Sequence, residues 1–579
     1  MSKSVSIENY TLEELLEEAK NGWNAALDDM YYPPIPEPTI TFDPKQSDYF
    51  YIQTDDWRVI LNIAGIPQKV IAQTRDFIRS MSHHEISHYT ICPYDGIMNA
   101  RLLNAALDVL TSMEQAQTVV NIFADLVIDT VIFQRFPELI TWRLANTVEN
   151  ILETVESPGD LWRVLVGAYQ HMWNMGFGVR LNDTLDGIAL EISRIVHKKM
   201  LQENTWPGKV KKIARLLKDI LDKEIKCEND TAGGENSDGD GSSDGESSRD
   251  DDSSDDSSSH DADGNAKSSE SIPEELKKQM GNPTIPQGKK LTAADLEQVA
   301  RELIKDNAKF KNFRKIASLH GGTDKKDALR IWYRSIAKEQ IEFEVELSRK
   351  AGELPQNLIQ WRIGDPIEEL DVLQSLQSFP VLIPNMTTRK WHKKSSFLSY
   401  SKKEDFDLLI VLDSSGSMEF RTNPRLGGIY HIALVASFSA LEFAKRRNAH
   451  AAAINFSEFS RSQPWTKNYK AVEDVLLYYY GGGTTLPVKK IRQMSLSAKN
   501  RFLTLIITDL GLSNWNPALN LFDDLLNSKN PLVFFAIGIP QNDVDKLAEK
   551  LIEKGAIFYG ITNIQDLVGL VVNTAKRFL

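Results

Sequence analysis

Five consecutive residues, His84-Glu85-Ile86-Ser87-His88, hold three groups able to act together. On an α-helix, residues four apart stand one turn apart on one face, so His84 and His88 can offer two imidazoles to a single Zn²⁺ ion. Glu85, one residue beyond the first histidine, can then take a proton from a water that the metal activates, the general-base role in peptide hydrolysis. The preceding VIAQTRDFIRSM (70–81) favours a helix. His83 could join His84 as a ligand only by distorting that helix, and is expected to support a ligand or to be exposed. A third ligand is needed. TVVNIFADLVIDTVI (118–132) reads as an apolar helix with Asn121, Asp125 and Asp129 near one face. Carboxylates in such a helix are costly unless paired or metal-bound. Asp125 is the expected third ligand. Asp129 is the reserve, or the partner of a ligand histidine. The competing reading has both aspartates facing solvent or pairing with arginine.

A second constellation consists of oxygens alone. The apolar run LLIVLD (408–413) leads into Asp413-Ser-Ser415-Gly-Ser417. A buried parallel strand reads as such a run, and open α/β sheets bind ligands at the carboxyl ends of their strands. Gly416 permits the tight turn that brings two hydroxyls to one point. GGGTT (481–485) adds Thr484, with Thr485 as its near competitor, and FLTLIITD (502–509) is another apolar strand, ending in Asp509. Hydroxyls, carboxylates and water suit octahedral Mg²⁺, with Mn²⁺ as the alternative. The bland alternative is a Ser/Asp-capped turn.

These residues need elements to position them, and 579 residues are too many for one ordinary core. Upstream, TITF (39–42), DYFYIQ (48–53) and WRVILNIAG (57–65) suggest short strands, and from about Lys69 to Ile225 the pattern is helical. Residues 1–225 are therefore expected to form a mainly α domain with a little β structure. Residues 226–275 are expected to be a disordered linker: within them, 228–270 carry 15 Asp/Glu and 2 Lys/Arg, with three alanines as the apolar content. The whole net charge of −13 resides there; the rest holds 65 residues of each sign. That balance gives no support to nucleic-acid binding. Residues 276–403 are expected to be a helical and irregular connector, its helix at 291–306 opening on Thr292 with Asp295 three residues later, a capping arrangement. From 404 to 579 strands alternate with helices, the pattern of a doubly wound α/β sheet. The runs LLIVL (408–412) and LVFFAIGI (532–539) are far shorter than the roughly 20 residues of a membrane helix. The start lacks the apolar stretch of a secretory signal, and two cysteines, Cys92 and Cys227, form no disulfide framework. A cytoplasmic protein without a membrane span is the expectation.

Asp413-x-Ser415-x-Ser417 after a first strand, Thr484 in a glycine-rich loop and Asp509 after a later strand resemble the von Willebrand factor A domain and its metal-ion-dependent adhesion site. The resemblance covers about 404–579. It implies hydroxyl ligation by Ser415, Ser417 and Thr484, with Asp413 and Asp509 acting directly or through water. It also implies a coordination position left for an acidic residue of a protein partner. WRIGDPIEELDVLQSL through IPNMTTRKW (361–391) resembles the lead into this domain in prokaryotic relatives, which often work with MoxR-type AAA+ ATPases. Together with the upstream histidines, the chain resembles a prokaryotic family that joins a zincin-like metallopeptidase domain to an A-type domain. Two departures stand out: YTICPYDGI follows His88 where a HExxHxxGxxH pattern would continue, and Asn121 stands where a thermolysin-like glutamate would be.

Two functions follow. In one, His84, His88 and Asp125 hold zinc, Glu85 serves as base in peptide hydrolysis, and the A-type domain recruits a protein through Mg²⁺. In the other, the chain is a non-catalytic adaptor of an AAA+ ATPase with a structural or inactive zincin-like domain. A chelatase-type ATPase subunit is disfavoured, since no GxxxxGK[ST] phosphate loop occurs.

Overall fold

A computed structural model of the chain describes residues 6–7, 10–44, 50–52, 59–232, 292–319, 323–351, 355–363, part of 365–393, 406–419, 427–562 and 565–578. The chain divides into two compact units, Met1–Leu291 with Leu319–Gly321, and Thr292–Ser318 with Gly322–Leu579.

The first unit is mainly helical. Helix α1 (Leu12–Asp29) opens on a capping box between Thr11 and Glu14. Besides a two-residue antiparallel pair, Ser6–Ile7 with Tyr10–Thr11, the unit has three short strands, Thr39–Thr41 (β1), Phe50–Ile52 (β2) and Val59–Asn62 (β3). They form one sheet in the order β1-β3-β2, with β1 parallel and β2 antiparallel to β3. Its apolar side packs with Leu15, Ala19, Trp23 and Ala26 of α1 and with Phe77, Ile78, Met81 and Ile86 of the next helix, α2 (Thr74–Thr90). Then come α3 (Gly96–Leu107), α4 (Met113–Arg135), α5 (Pro137–Thr154), α6 (Asp160–Trp173), α7 (Asp183–His197) and α8 (Trp206–Ala232). By length and composition α4 could cross a membrane, which the shorter apolar runs could not, but it is mostly buried within this unit. It is the central helix of this unit, and apolar on all sides because it is surrounded. Helix α8 runs to Ala232, seven residues into the stretch expected to be linker; the remainder of that stretch lies outside the described residues.

The second unit begins earlier than residue 404. Helices α9 (Ala293–Lys305), α10 (Phe310–Leu319) and α11 (Lys325–Ala351) precede the sheet, and Thr292 and Asp295 make the capping box. Tyr333, Ala337 and Ile341 of α11 are buried in the same core as the sheet strands, so this part of the connector is built into the unit. The stretch expected to be irregular contains an antiparallel pair, Pro355–Gln360 (β4) and Arg389–Lys393 (β5). Its sequences, PQNLIQ and RKWHK, lack the apolar alternation that announces a strand, and a proline at the first strand position costs no ladder bond.

The main sheet has six strands: Asp407–Asp413 (β6), Ala451–Phe456 (β7), Ser460–Thr466 (β8), Phe502–Thr508 (β9), Leu532–Ile537 (β10) and Ile557–Ile561 (β11). Their spatial order is β8-β7-β6-β9-β10-β11, parallel throughout except for the edge hairpin β7–β8. In the central strands β6, β9 and β10 alternate residues bury on opposite faces, which is why these read as mainly apolar runs, whereas the edge strand β8 is largely polar. Leu408, Ile410 and Leu412 pack with α11, α12 (Ile429–Arg446), α13 (Tyr469–Leu476) and α17 (Gln565–Phe578). Leu409 and Val411 pack with α14 (Val488–Ser497), α15 (Trp515–Asn527) and α16 (Gln541–Glu553). This is the doubly wound parallel sheet that the alternation of strands and helices predicts.

Candidate functional site

Helix α2 carries His84, Glu85 and His88 on the side that meets α4, and α4 presents Asp125 and Asp129 to them. The His84 Nε2 and His88 Nε2 atoms lie 3.6 and 3.4 Å from the Asp125 carboxylate. All three ligand atoms fall within 4.8 Å of one another. Donors bound tetrahedrally to one zinc at about 2.0–2.2 Å stand roughly 3.3 Å apart, so the spacing suits such an ion with small adjustments.

The opposite ring nitrogens are already engaged. His84 Nδ1 is 2.8 Å from Asp129 Oδ1, and His88 Nδ1 is 3.1 Å from the carbonyl oxygen of Cys92. Both partners are acceptors, so in the neutral rings Nδ1 carries the proton and Nε2 presents a lone pair. Asp129 is itself held by the Tyr169 hydroxyl at 2.8 Å and by Arg143 Nη2 at 3.4 Å. Arg143, fully buried, is anchored in turn through Ser80. His84 Nε2 and Asp125 Oδ2 are buried without a hydrogen-bond partner. Orphaned atoms of this kind are expensive unless something binds them. Asn121 Oδ1, one turn earlier on α4, is in the same condition.

Without a cation, the cluster holds a proton instead. Burial alone would push His84 down; the carboxylates of Asp129 and Asp125 outweigh it and raise its pKa to about 9. Burial pushes Asp129 up, but His84 and Arg143 overcome that and hold it at about 2. Glu85, 3% exposed, is raised by burial, with the two histidines pulling the other way. A metal would replace the imidazolium charge.

His83 is neither exposed nor turned to this cluster. It is fully buried, stacks on Phe136 at 4.5 Å, and contacts Asp29 of α1 at 2.8 Å, where Arg79 also binds. One position along a helix turns a side chain by about 100°, which aims His83 at α1 while His84 faces α4. Cys92 meets the cluster through its carbonyl. Arg143 and Tyr169 come from α5 and α6, with no spacing rule tying them to the histidines.

The second cluster sits at the carboxyl ends of β6 and β9. These adjacent strands send their connections to opposite sides, which opens a crevice between them. Asp413 is buried, with Oδ1 accepting from the Ser415 N–H at 2.9 Å and Oδ2 from the Thr508 hydroxyl at 2.6 Å. The Ser415 and Ser417 hydroxyls are 3.2 Å apart. Burial pushes the Asp413 carboxyl up, and the nearby Asp509 carboxylate adds to this. The glycine-rich loop locks against the serine loop: Gly416 N–H donates to the Gly482 carbonyl and Gly481 N–H to the Ser414 carbonyl, both at 2.8 Å. A Cβ on Gly482 would stand 2.9 Å from Ser457 Oγ, and Gly481 has φ +67°, so this loop needs glycine. The two threonines differ. Thr485 Oγ is engaged by the Ser513 hydroxyl at 2.9 Å, whereas the Thr484 hydroxyl has no partner among the described residues.

No protein-family profile and no curated protein matches the chain. Among solved structures, it is similar to the pilus adhesin SpaC from Lactobacillus rhamnosus GG at 14% identity and a TM-score of 0.25, covering 31% of each chain. It is also similar to an aerotolerance-related membrane protein from Bacteroides fragilis, at 15% identity and TM-score 0.23, covering 30% of this chain and 99% of that one. A von Willebrand factor type A protein from Catenulispora acidiphila matches at 14% identity and TM-score 0.22, over 30% of this chain and 42% of its own. The chain thus spans less than a third of the adhesin.

Proposed function

We propose that the first unit is a zinc-dependent hydrolase of peptide bonds. His84, His88 and Asp125 are the ligands, Glu85 is the general base, and Asp129 orients His84. The observation that carries this reading is the convergence of one buried carboxylate and two Nε2 atoms, on rings whose Nδ1 atoms are already engaged. When bound, zinc supplies Lewis acidity, polarising a carbonyl and acidifying water. Glu85 receives the proton of the attacking water and returns it to the leaving amine, and burial, which raises its pKa, makes it a stronger base. Asp129, kept ionised by His84 and Arg143, fixes the tautomer of His84. With zinc supplied, the wild type is expected to cleave members of a quenched-fluorescent peptide library. Glu85→Gln should lose roughly 10²–10⁴-fold in rate while retaining one equivalent of zinc. Equal cleavage by this variant, or none by the zinc-loaded wild type, contradicts the assignment.

A second reading is favoured by one observation: His84, Glu85 and Asp125 are each no more than 3% exposed. So closed a site suits structural zinc in a non-catalytic adaptor, and the zinc-loaded, inactive outcome would establish it.

For the second unit we propose an A-type domain that binds a protein partner through Mg²⁺ or Mn²⁺. Ser415, Ser417 and Thr484 would supply hydroxyls, and Asp413 and Asp509 the negative charge. The support is the strand order, the paired serine hydroxyls and the unengaged Thr484 hydroxyl. An acidic side chain of the partner, a MoxR-type AAA+ ATPase being the first to test, would complete the shell.

A further inference from the structure

Where α7 ends and α8 begins, the first unit has a cavity of about 380 Å³. Arg194, Lys198, Lys199, Lys209 and Lys212 line it, against the single carboxylate of Glu191. Glu191 lies 3.8 Å from Arg194, so that pair is locally balanced. Lys198, Lys199 and Lys212 have no carboxylate partner among the described residues, although the chain outside 228–270 carries equal numbers of both signs. Lys198, Lys199 and Lys212 are exposed, and like charges gathered around one concavity repel one another unless an anion sits between them. The wall behind them is built. Lys209 is buried, and its Nζ donates to the carbonyls of Val196 at 3.0 Å and Lys199 at 3.2 Å, which ties the end of α7 to the first turn of α8. That tie fixes where Lys198 and Lys199 emerge. Gly208 borders the cavity, and a Cβ there would meet nothing within 4 Å, so the N-terminal turn of α8 is open to it. The positive end of a long helix adds to the field of the lysines.

We propose that this cavity is a binding site for a small polyanion bearing phosphoryl groups, separate from both metal clusters. Its volume suits a compact ligand of two or three phosphoryl groups, and its donors are point-charge ammonium groups of the kind that bind phosphate oxygens without fixed orientation. Glu191 at the rim disfavours ligands that extend across it.

The test is calorimetric titration of the full chain, freed of metals with EDTA, using inorganic tripolyphosphate as probe. One equivalent is expected to bind, with an affinity that falls as salt is raised. Changing Lys198, Lys199 and Lys212 together to alanine should weaken binding at least tenfold, while the triple arginine variant retains it. Lys209 is left intact because it holds the two helices together. If the triple alanine variant does not fold, Lys212→Glu alone should give the same direction of change. No binding by the wild type, or equal binding by the alanine variant, overturns the proposal. So does binding seen only after deletion of residues 233–270, which would make the chain's own acidic segment the occupant.

Discussion

At the scale of single residues, the proposed zinc site would set a proton and a metal in competition for His84. Its pKa near 9 means that the metal-free protein carries imidazolium there at neutral pH, so zinc must displace about one proton. Zinc affinity is expected to rise by close to tenfold per pH unit from pH 7 to 8.5, and calorimetry in buffers of different ionisation enthalpy should report that proton. An affinity independent of pH would contradict the proton-for-metal exchange. The metal-free protein shows the linked effect. A histidine raised above its unfolded value of 6.5 stabilises the fold fully below about pH 6.5 and loses that contribution as pH climbs through about 9. Melting temperatures measured without metal should therefore fall over that window. Asp129→Asn removes the charge that orients His84, and the expected loss of zinc affinity is roughly 10–100-fold. Much of this was legible beforehand. Histidines at i and i+4 and an aspartate in an apolar helix announce themselves by type and spacing. The Cys92 carbonyl, Tyr169 and Arg143 do not, because a backbone oxygen has no sequence signature and the other two arrive from different helices.

At the scale of elements, α1 is the brace behind α2. Gly22 lets the two helices approach: a Cβ there would run into the Arg75 carbonyl and stand 3.1 Å from the Arg79 nitrogen. Backbone cannot step aside as a side-chain tip can, so Gly22→Ala is expected to destabilise the first unit by about 1–3 kcal/mol, read as a lower denaturation midpoint. It should also loosen Asp29 from Arg79 and His83. An unchanged midpoint would show that α1 does not brace the metal helix. The elements themselves were mostly readable. The runs that became β6, β9 and β10 are buried at every position and apolar at nearly all, the exceptions being Asp407 and Asp413 at the ends of β6 and Thr504 and Thr508 in β9, because both faces of the sheet are covered. The pair β4–β5 was hidden by uncharged polar residues in β4 and basic residues in β5, and the incorporation of α11 into the sheet core depends on tertiary packing that periodicity does not encode.

At the scale of the whole molecule, the two side-chain clusters proposed to hold metals differ in chemical character and belong to two different compact units. One uses imidazoles and a carboxylate, the other hydroxyls and carboxylates, so each should select its own ion. Asp413→Ala is expected to abolish divalent-dependent partner capture and leave the zinc content of the first unit unchanged. His84→Ala should do the reverse. Loss of both functions from either substitution would mean that the units are not chemically independent. What the sequence could not supply at this scale is the partner, since an adhesion-type site specifies a carboxylate and nothing about the protein that bears it.

The central claim is that His84, His88 and Asp125 form a zinc site. Elemental analysis of the purified full chain, after equilibration with zinc and removal of excess, tests it most directly. The wild type should retain one equivalent that His84→Ala and Asp125→Ala both lose, with Asp413→Ala unaffected. Equal zinc in the wild type and both first-unit variants, or none in any of them, would contradict the account.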